Sequence, residues 1–315
     1  MKMPAIATLI CAIAIIAGCY ASDRAAPPEL NHKTILVTGA TGTQGGAVAR
    51  ELIKRGYSVR GLTRNPDSDR ARAMSDLGAE MVRGDFSDAE SLAAAMSGVY
   101  GVFAVTDFWE HGYRAEVDHG KQLVDSALAA GVDHFVFTSV DGADSYTGVP
   151  HFESKGEIEV YLEESGLDYS IVRPVSFMDN VKYDRQNIMS GVYFDPRDSD
   201  KTHRWIAASD IGFFVGEAFD HPDEWQGLAL DIAGDELSIA EFTDLLSRSV
   251  SLDVHHQQIT WKAYEQEAGE ELTLMTRWFD SKGYDADVEG LRKKYPNLLT
   301  YQQYLQNLDW DQPPR

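Results

Sequence analysis

The amino-acid sequence predicts an α/β protein, a doubly wound parallel sheet followed by a smaller C-terminal α+β lobe that closes a cleft. Three observations carry this. A short apolar run, Ile35-Leu36-Val37, of the kind a strand buried on both faces needs, precedes a glycine-rich turn and a helical pattern through Val48, Leu52 and Ile53. Short apolar stretches then alternate with helical ones to about residue 180, the rhythm of repeated β-α-β units. Beyond that point the alternation loosens, which divides the chain into a core over 33–180 and a lobe over 181–315, with strands of the lobe returning to the core.

Composition narrows the function. A chain of 315 residues is long enough for one large or two modest domains. A net charge of -22, from 50 acidic against 28 basic residues, argues against a nucleic-acid or anionic-membrane surface, and no basic cluster opposes that sign. There is no Gly-x-x-x-x-Gly-Lys-Ser/Thr loop, no His-Glu-x-x-His and no Cys-x-x-Cys, so phosphate-loop hydrolysis and zinc chemistry have no support and no metal is expected. His255 and His256 are adjacent and would diverge in a helix or a strand.

Residues 1–21 read as an export signal. Lys2 gives a minimal positive start, and residues 5–17 are apolar or small apart from Thr8, a short run for crossing a bilayer. The segment ends in Ile16-Ala17-Gly18-Cys19, which resembles the bacterial lipobox. That resemblance implies a signal peptide over 1–18, a diacylglycerol on the Cys19 thiol and a lipidated tether over 19–32 that includes Pro27-Pro28. The expected location is then membrane-anchored, on the periplasmic or cell-surface side, with the membrane met only through the lipid. An ordinary signal peptide or signal anchor with an incidental cysteine is the alternative, and the protein is cytoplasmic if the segment is no signal. Cys11 would be removed and Cys19 acylated, which leaves the mature domain without thiol or disulfide chemistry.

In chain order, the spacing Gly39-x-x-Gly42-x-x-Gly45, with Thr41, Thr43 and Gln44 between, lets the backbone turn tightly and presents the first helical N–H groups to a pyrophosphate. Residues 57–63 form a second strand with Arg64 at its end. In a dinucleotide fold that position faces the adenosine ribose, where an arginine pairs with the 2′-phosphate of NADP; a solvated loop arginine is the plain alternative. Residues 80–86 form a third strand, whose Asp85 and Phe86 would flank the adenine, although Asp85 could equally cap a turn. A capped helix follows over 88–96, then a fourth strand over 99–106 with Thr106 near the cofactor, a helix over 119–130, and a fifth strand over 134–139 ending at Ser139.

Taken together, Gly39-Ala40-Thr41-Gly42-Thr43-Gln44-Gly45-Gly46, Leu62-Thr63-Arg64-Asn65-Pro66, Gly84-Asp85, the apolar stretch 98–106, His151-Phe152-Glu153-Ser154-Lys155-Gly156 and Ser170-Ile171-Val172-Arg173-Pro174 resemble the NmrA-like family of atypical short-chain dehydrogenases/reductases, over about 33–307. The resemblance implies a Rossmann domain that binds NADP(H) and a smaller part that closes the cleft over a small-molecule or protein partner. Some members are redox-sensing regulators without known turnover; others reduce quinones or related carbonyl compounds with NADPH. Ordinary short-chain dehydrogenases carry Tyr-x-x-x-Lys, with a tyrosine proton donor activated by the lysine. The matching positions here are His151 and Lys155, so the lysine that holds the nicotinamide ribose is kept and the phenol is missing. His151 could act as a general acid near neutral pH or be a structural, partly exposed residue at a helix start. Tyr146, five residues before His151, is a nearby substitute for the phenol, but its distance in sequence puts it in the preceding loop. Ser139 matches the position that gives a hydroxyl to the substrate carbonyl, or else merely closes its strand. Pro174 and Val175 would lie against the nicotinamide, with Phe177 on the substrate side.

In the lobe, Asp210 is expected to cap a helix running to Phe219, residues 227–233 to form a returning strand, 238–250 a capped amphipathic helix and 261–279 one further helix. Two functions remain. One is an NADP(H)-binding or redox-sensing module lacking the catalytic tyrosine; the other is an NADPH-dependent reductase of quinone-like or carbonyl substrates.

Overall fold

The computed structural model describes residues 31–311; the expected export signal, Cys11 and Cys19 lie outside them. The core runs β1 (Asn31–Val37), α1 (Thr43–Lys54), β2 (Tyr57–Thr63), α2 (Asp69–Asp76), β3 (Glu80–Arg83), α3 (Ala89–Met96), β4 (Gly101–Ala104), α4 (Phe108–Ala130), β5 (His134–Thr138), α5 (Pro150–Glu164) and β6 (Tyr169–Pro174). There follow β7 (Ser176–Phe177), a 3₁₀ segment (Met178–Asp184), α6 (Arg185–Met189), β8 (Val192–Asp195), β9 (Thr202–Ile206), α7 (Ala208–Asp220), α8 (Pro222–Trp225) and β10 (Ala229–Ile232). The chain closes with β11 (Asp235–Ser238), α9 (Ile239–Val250), β12 (His255–Gln258), α10 (Trp261–Ala268), α11 (Glu270–Ser281), α12 (Val288–Lys294) and α13 (Tyr301–Gln306).

The central sheet has seven parallel strands in the order β10-β6-β5-β4-β1-β2-β3. Side chains alternate across it. Ile35 and Val37 pack on one face with Val48, Leu52 and the α7 residues Ile211, Phe214 and Val215. Leu36 lies on the other with Leu92, Leu123, Phe135 and Ile158. Both faces are covered, which is why β1 reads as an unbroken apolar run rather than as an alternating one. α1 and α7 approach closely because Gly212 has no Cβ; one built there would stand 2.9 Å from the Ala47 carbonyl oxygen. The strand order reverses between β1 and β4, and this switch point opens a crevice at the C-terminal ends of the strands.

Residues after β6 do two things. β10 joins the central sheet beside β6, while β7, β9 and β11 make a small sheet and β8 and β12 a smaller one. Around them a separate apolar group forms from Met178, Ile188, Phe242, Leu246, Tyr301 and Leu305. Buried Asp141, just past β5, ties this part to the core by accepting the N–H groups of Asp285 and Ala286 at 2.9 Å each. Among the described residues no helix is long and apolar enough to cross a membrane.

Several expected boundaries move, each for a local reason. The helix expected over 119–130 begins at Phe108, capped by Asp107, and absorbs a kink at Gly112, where φ is +75°. The segment expected as one helix over 261–279 divides at Gly269, where φ is +86°. Asp210 does not cap α7, because the N-cap is Ala207; its carboxylate instead accepts the Leu299 N–H at 2.8 Å and pins the C-terminal segment.

Candidate functional site

In a parallel sheet all C-terminal strand ends share one edge, and the residues singled out in the sequence follow those ends one by one. Gly39 follows β1, Arg64 follows β2, Asp85 follows β3, Thr106 follows β4, Ser139 follows β5, and Pro174 ends β6. The turn after β1 is tight. Gly39 sits in the left-handed region at φ +59°, and the Gly42 N–H donates to the Gly39 carbonyl at 2.8 Å. A Cβ at Gly45 would meet that same carbonyl oxygen at 2.3 Å, so α1 packs directly against the turn. Gly42 is the N-cap of α1 and brings no side-chain cap, leaving the first-turn N–H groups of Thr43, Gln44 and Gly45 to face an anion. Thr41 and Thr43 are half-buried beside them. The Thr38 hydroxyl clamps the ends of β1 and β4 by accepting the Val105 N–H at 2.7 Å. Gln44 reaches past β4 and donates to Thr138 Oγ1 at 2.5 Å.

At the β2–β3 side, Arg64 is engaged. Its Nη1 and Nη2 donate to Glu110 Oε1 and Oε2 at 2.5 and 2.8 Å. Glu110 stands in the first turn of α4, where its N–H meets the capping Asp107 carboxylate at 3.2 Å. Hydrogen bonding to Arg64 holds the Glu110 carboxyl below its ordinary range, and the same fork raises the Arg64 guanidinium. Arg83 Nε donates to the Arg64 carbonyl at 3.3 Å. Asp85 closes a turn, accepting the Ser87 hydroxyl at 2.7 Å and the Ser87 N–H at 2.9 Å, which lower its carboxyl. Phe86 meets the His119 ring edge-on at 5.6 Å, and His119 meets His111 at 5.1 Å.

At the β4–β5 side lies a buried polar cluster. Lys155 on α5 donates to Thr106 Oγ1 at 2.8 Å and to Glu116 Oε1 at 2.7 Å; Thr106 donates to the same oxygen at 2.8 Å, and the Ser154 hydroxyl donates to Glu116 Oε2. Glu116 has no exposed surface. Burial pushes its carboxyl up, but the Lys155 charge and the three hydrogen bonds outweigh that and hold it below its ordinary value. These contacts use two of the three ammonium hydrogens of Lys155 and leave one for an oxygen at the crevice. Nearby, Ser139 is 5% exposed and its Oγ has no hydrogen-bond partner among the described residues. Pro174 is buried, and its carbonyl accepts the Asp141 N–H at 3.2 Å. An uncapped helix start over a glycine turn and an unspent buried hydroxyl on the same edge suit a dinucleotide.

His151 lies at the start of α5 and is partly exposed, as expected, but it is more enclosed than a free helix start. Its side chain is 12% exposed, boxed by Phe108, Trp109 and Phe152, and its Nδ1 lies 2.5 Å from Glu271 Oε1 on α11. A carboxylate only accepts, so Nδ1 carries the proton and Nε2 is the acceptor of the neutral ring. Burial lowers the His151 pKa, opposed by Glu271. Tyr146 is 93% exposed and lines, with Tyr113, Glu157, Glu159 and Arg173, a cavity of about 630 Å³ to which His151, Lys155 and Ser139 do not contribute.

Sequence reasoning missed Glu110, Glu116 and Glu271. Only Glu116 left a signal: it begins the stripe Glu116, Val117, Gly120, Leu123, Val124, Ala127 that α4 buries, and a carboxylate on an apolar face needs a cation. Among the described residues no cluster of His, Cys, Asp and Glu is arranged to hold a metal.

A sequence model of the NmrA-like family matches residues 31–305. An NmrA-like family domain-containing oxidoreductase of Aspergillus versicolor is 33% identical over 244 residues, 68% of this chain and 68% of that one. An NAD(P)H azoreductase of Xenophilus azovorans is 32% identical over 234 residues, 74% of this chain and 79% of its own length. The structure of an NADPH-dependent quinone oxidoreductase of Escherichia coli with NADPH matches with a TM-score of 0.75 at 20% identity, over 86% of this chain and 98% of that one. NmrA, a negative transcriptional regulator, in complex with NAD gives a TM-score of 0.73 at 20% identity, over 89% and 99%.

Proposed function

The chain belongs to the NmrA-like family, and from that premise we propose that it binds NADP(H) along the C-terminal edge of its sheet and serves as a cofactor-occupied, redox-sensing module. The observation that carries this is the pairing of an uncapped α1 start with an intact Lys155 and no phenol one turn before it. Backbone N–H groups of the turn, with Thr41, Thr43 and Gln44, would take the pyrophosphate; Arg64 would take the 2′-phosphate; Asp85 and Phe86 would border the adenine. The remaining ammonium hydrogen of Lys155 would hold the nicotinamide ribose, with Thr106 beside the cofactor and Pro174 against the nicotinamide. When bound, the cofactor supplies hydride. A small molecule or a protein would then read its presence at the cleft.

A second reading, an NAD(P)H-dependent reductase of quinone-like acceptors, draws support from the Glu271-held His151, whose Nε2 can hold or release a proton, and from relatives described as an oxidoreductase and an azoreductase. Titrating the full chain with NADPH and NADH, then adding quinones, separates the two. Binding without oxidation supports the module, quinone-dependent oxidation supports the reductase, and no binding overturns both. We also propose export with lipid on Cys19. Cys19→Ser should abolish labelling by radioactive palmitate, and labelling that persists overturns the proposal. An exported chain meets little free dinucleotide, so the two proposals together require a cofactor taken up before or during folding.

A further inference from the structure

The cation placed to read the 2′-phosphate is already paired. Both guanidinium edges used in the fork face Glu110, and the pair is anchored from both sides: Arg83 holds the Arg64 carbonyl, and Asp107 holds the Glu110 N–H. The pair remains open to solvent, with side-chain exposures of 59% and 43%, so a ligand can reach it. Asp85 and Asp107 add negative potential at Arg64, and His111 Nε2 lies 3.7 Å from Glu110 Oε2. Glu110 thus fills the Arg64 fork where a phosphate dianion would have to enter, and Asp85 and Asp107 add to the negative charge there.

We propose that Glu110 sets the discrimination between NADP(H) and NAD(H): its carboxylate occupies the Arg64 fork that a 2′-phosphate needs, and offers acceptor oxygens to a 2′-hydroxyl. This rests on the cofactor reading above. A 2′-phosphate must displace Glu110 and sit beside its charge, whereas the hydroxyls of an unphosphorylated ribose can donate to it with the fork intact. Discrimination in the native chain is therefore narrow, and it is set by a residue 46 positions from Arg64 in sequence.

The test measures dissociation constants for NADPH and NADH, and for the fragments 2′,5′-ADP and 5′-AMP, on the full chain. Tryptophan fluorescence is the signal, with Trp109 next to Glu110 as the reporter. In Glu110→Gln, affinity for NADPH and 2′,5′-ADP should rise roughly five- to tenfold, the scale of releasing one exposed ion pair and one repulsion. Affinity for NADH and 5′-AMP should stay level or fall, and Glu110→Asp should keep the native ratio. An unchanged NADPH-to-NADH ratio in Glu110→Gln, or equal weakening of both, overturns the proposal and leaves cofactor binding standing. If the native chain binds none of the four, the cofactor reading falls and this inference with it.

Discussion

The two ends of the crevice each hold a cation on a glutamate of α4, and they differ in burial. Arg64 and Glu110 are 59% and 43% exposed, while Lys155 and Glu116 are 13% and 0% exposed. An exposed pair is worth about 0–1 kcal/mol because water competes for both partners and holding them ordered costs entropy. Breaking a buried pair costs about 3–5 kcal/mol because it leaves a charge without solvent or counter-ion. The exposed pair can yield to a ligand, and the buried pair fixes the shape that a ligand meets. On the cofactor reading proposed above, the Arg64 end would suit selection and the Lys155 end positioning.

The comparison makes ordered predictions. Lys155→Met should lower stability the most, by about 3–5 kcal/mol, since Glu116 is then buried alone or must take up a proton; urea unfolding checks this, and a loss below that of an exposed pair would erase the contrast. Gly45→Ala should cost about 1–3 kcal/mol, because the new methyl meets backbone rather than a movable side chain. It should also weaken both nucleotides alike. A smaller effect concerns pH. The folded-state pKa of His151 is depressed by burial, so its contribution to stability is complete above the ordinary histidine value and is lost as pH falls through the folded value. His151→Gln should remove that share of acid sensitivity, and Glu271→Gln should lower the His151 pKa further, as read by NMR titration. Smallest of all, Arg64→Gln should change stability by no more than about 0.5 kcal/mol while reducing NADPH affinity more than NADH affinity. A large unfolding effect there would show that the exposed pair also holds the fold.

How much could be read in the sequence follows from how far apart the cooperating residues lie. The glycine turn is legible because Gly39, Gly42 and Gly45 act within a single turn, and β1 is legible because three adjacent residues show two-faced burial. The start of α4 is not, since residues 108–118 carry a glycine kink and few apolar side chains to mark a period. His151 sits, as expected, partly exposed at a helix start, but the groups that enclose it and hold its Nδ1, Phe108, Trp109 and Glu271, arrive from elsewhere.

By itself, the sequence determined the parallel sheet, the glycine turn and the row of residues at strand ends, because backbone geometry converts local spacing into position along one edge. Tertiary structure alone decided which charge each of those residues meets: Glu110 for Arg64, Glu116 for Lys155, Glu271 for His151. Such pairings join residues 46, 39 and 120 positions apart. They depend on how helices pack across the sheet, which no local pattern of residues records.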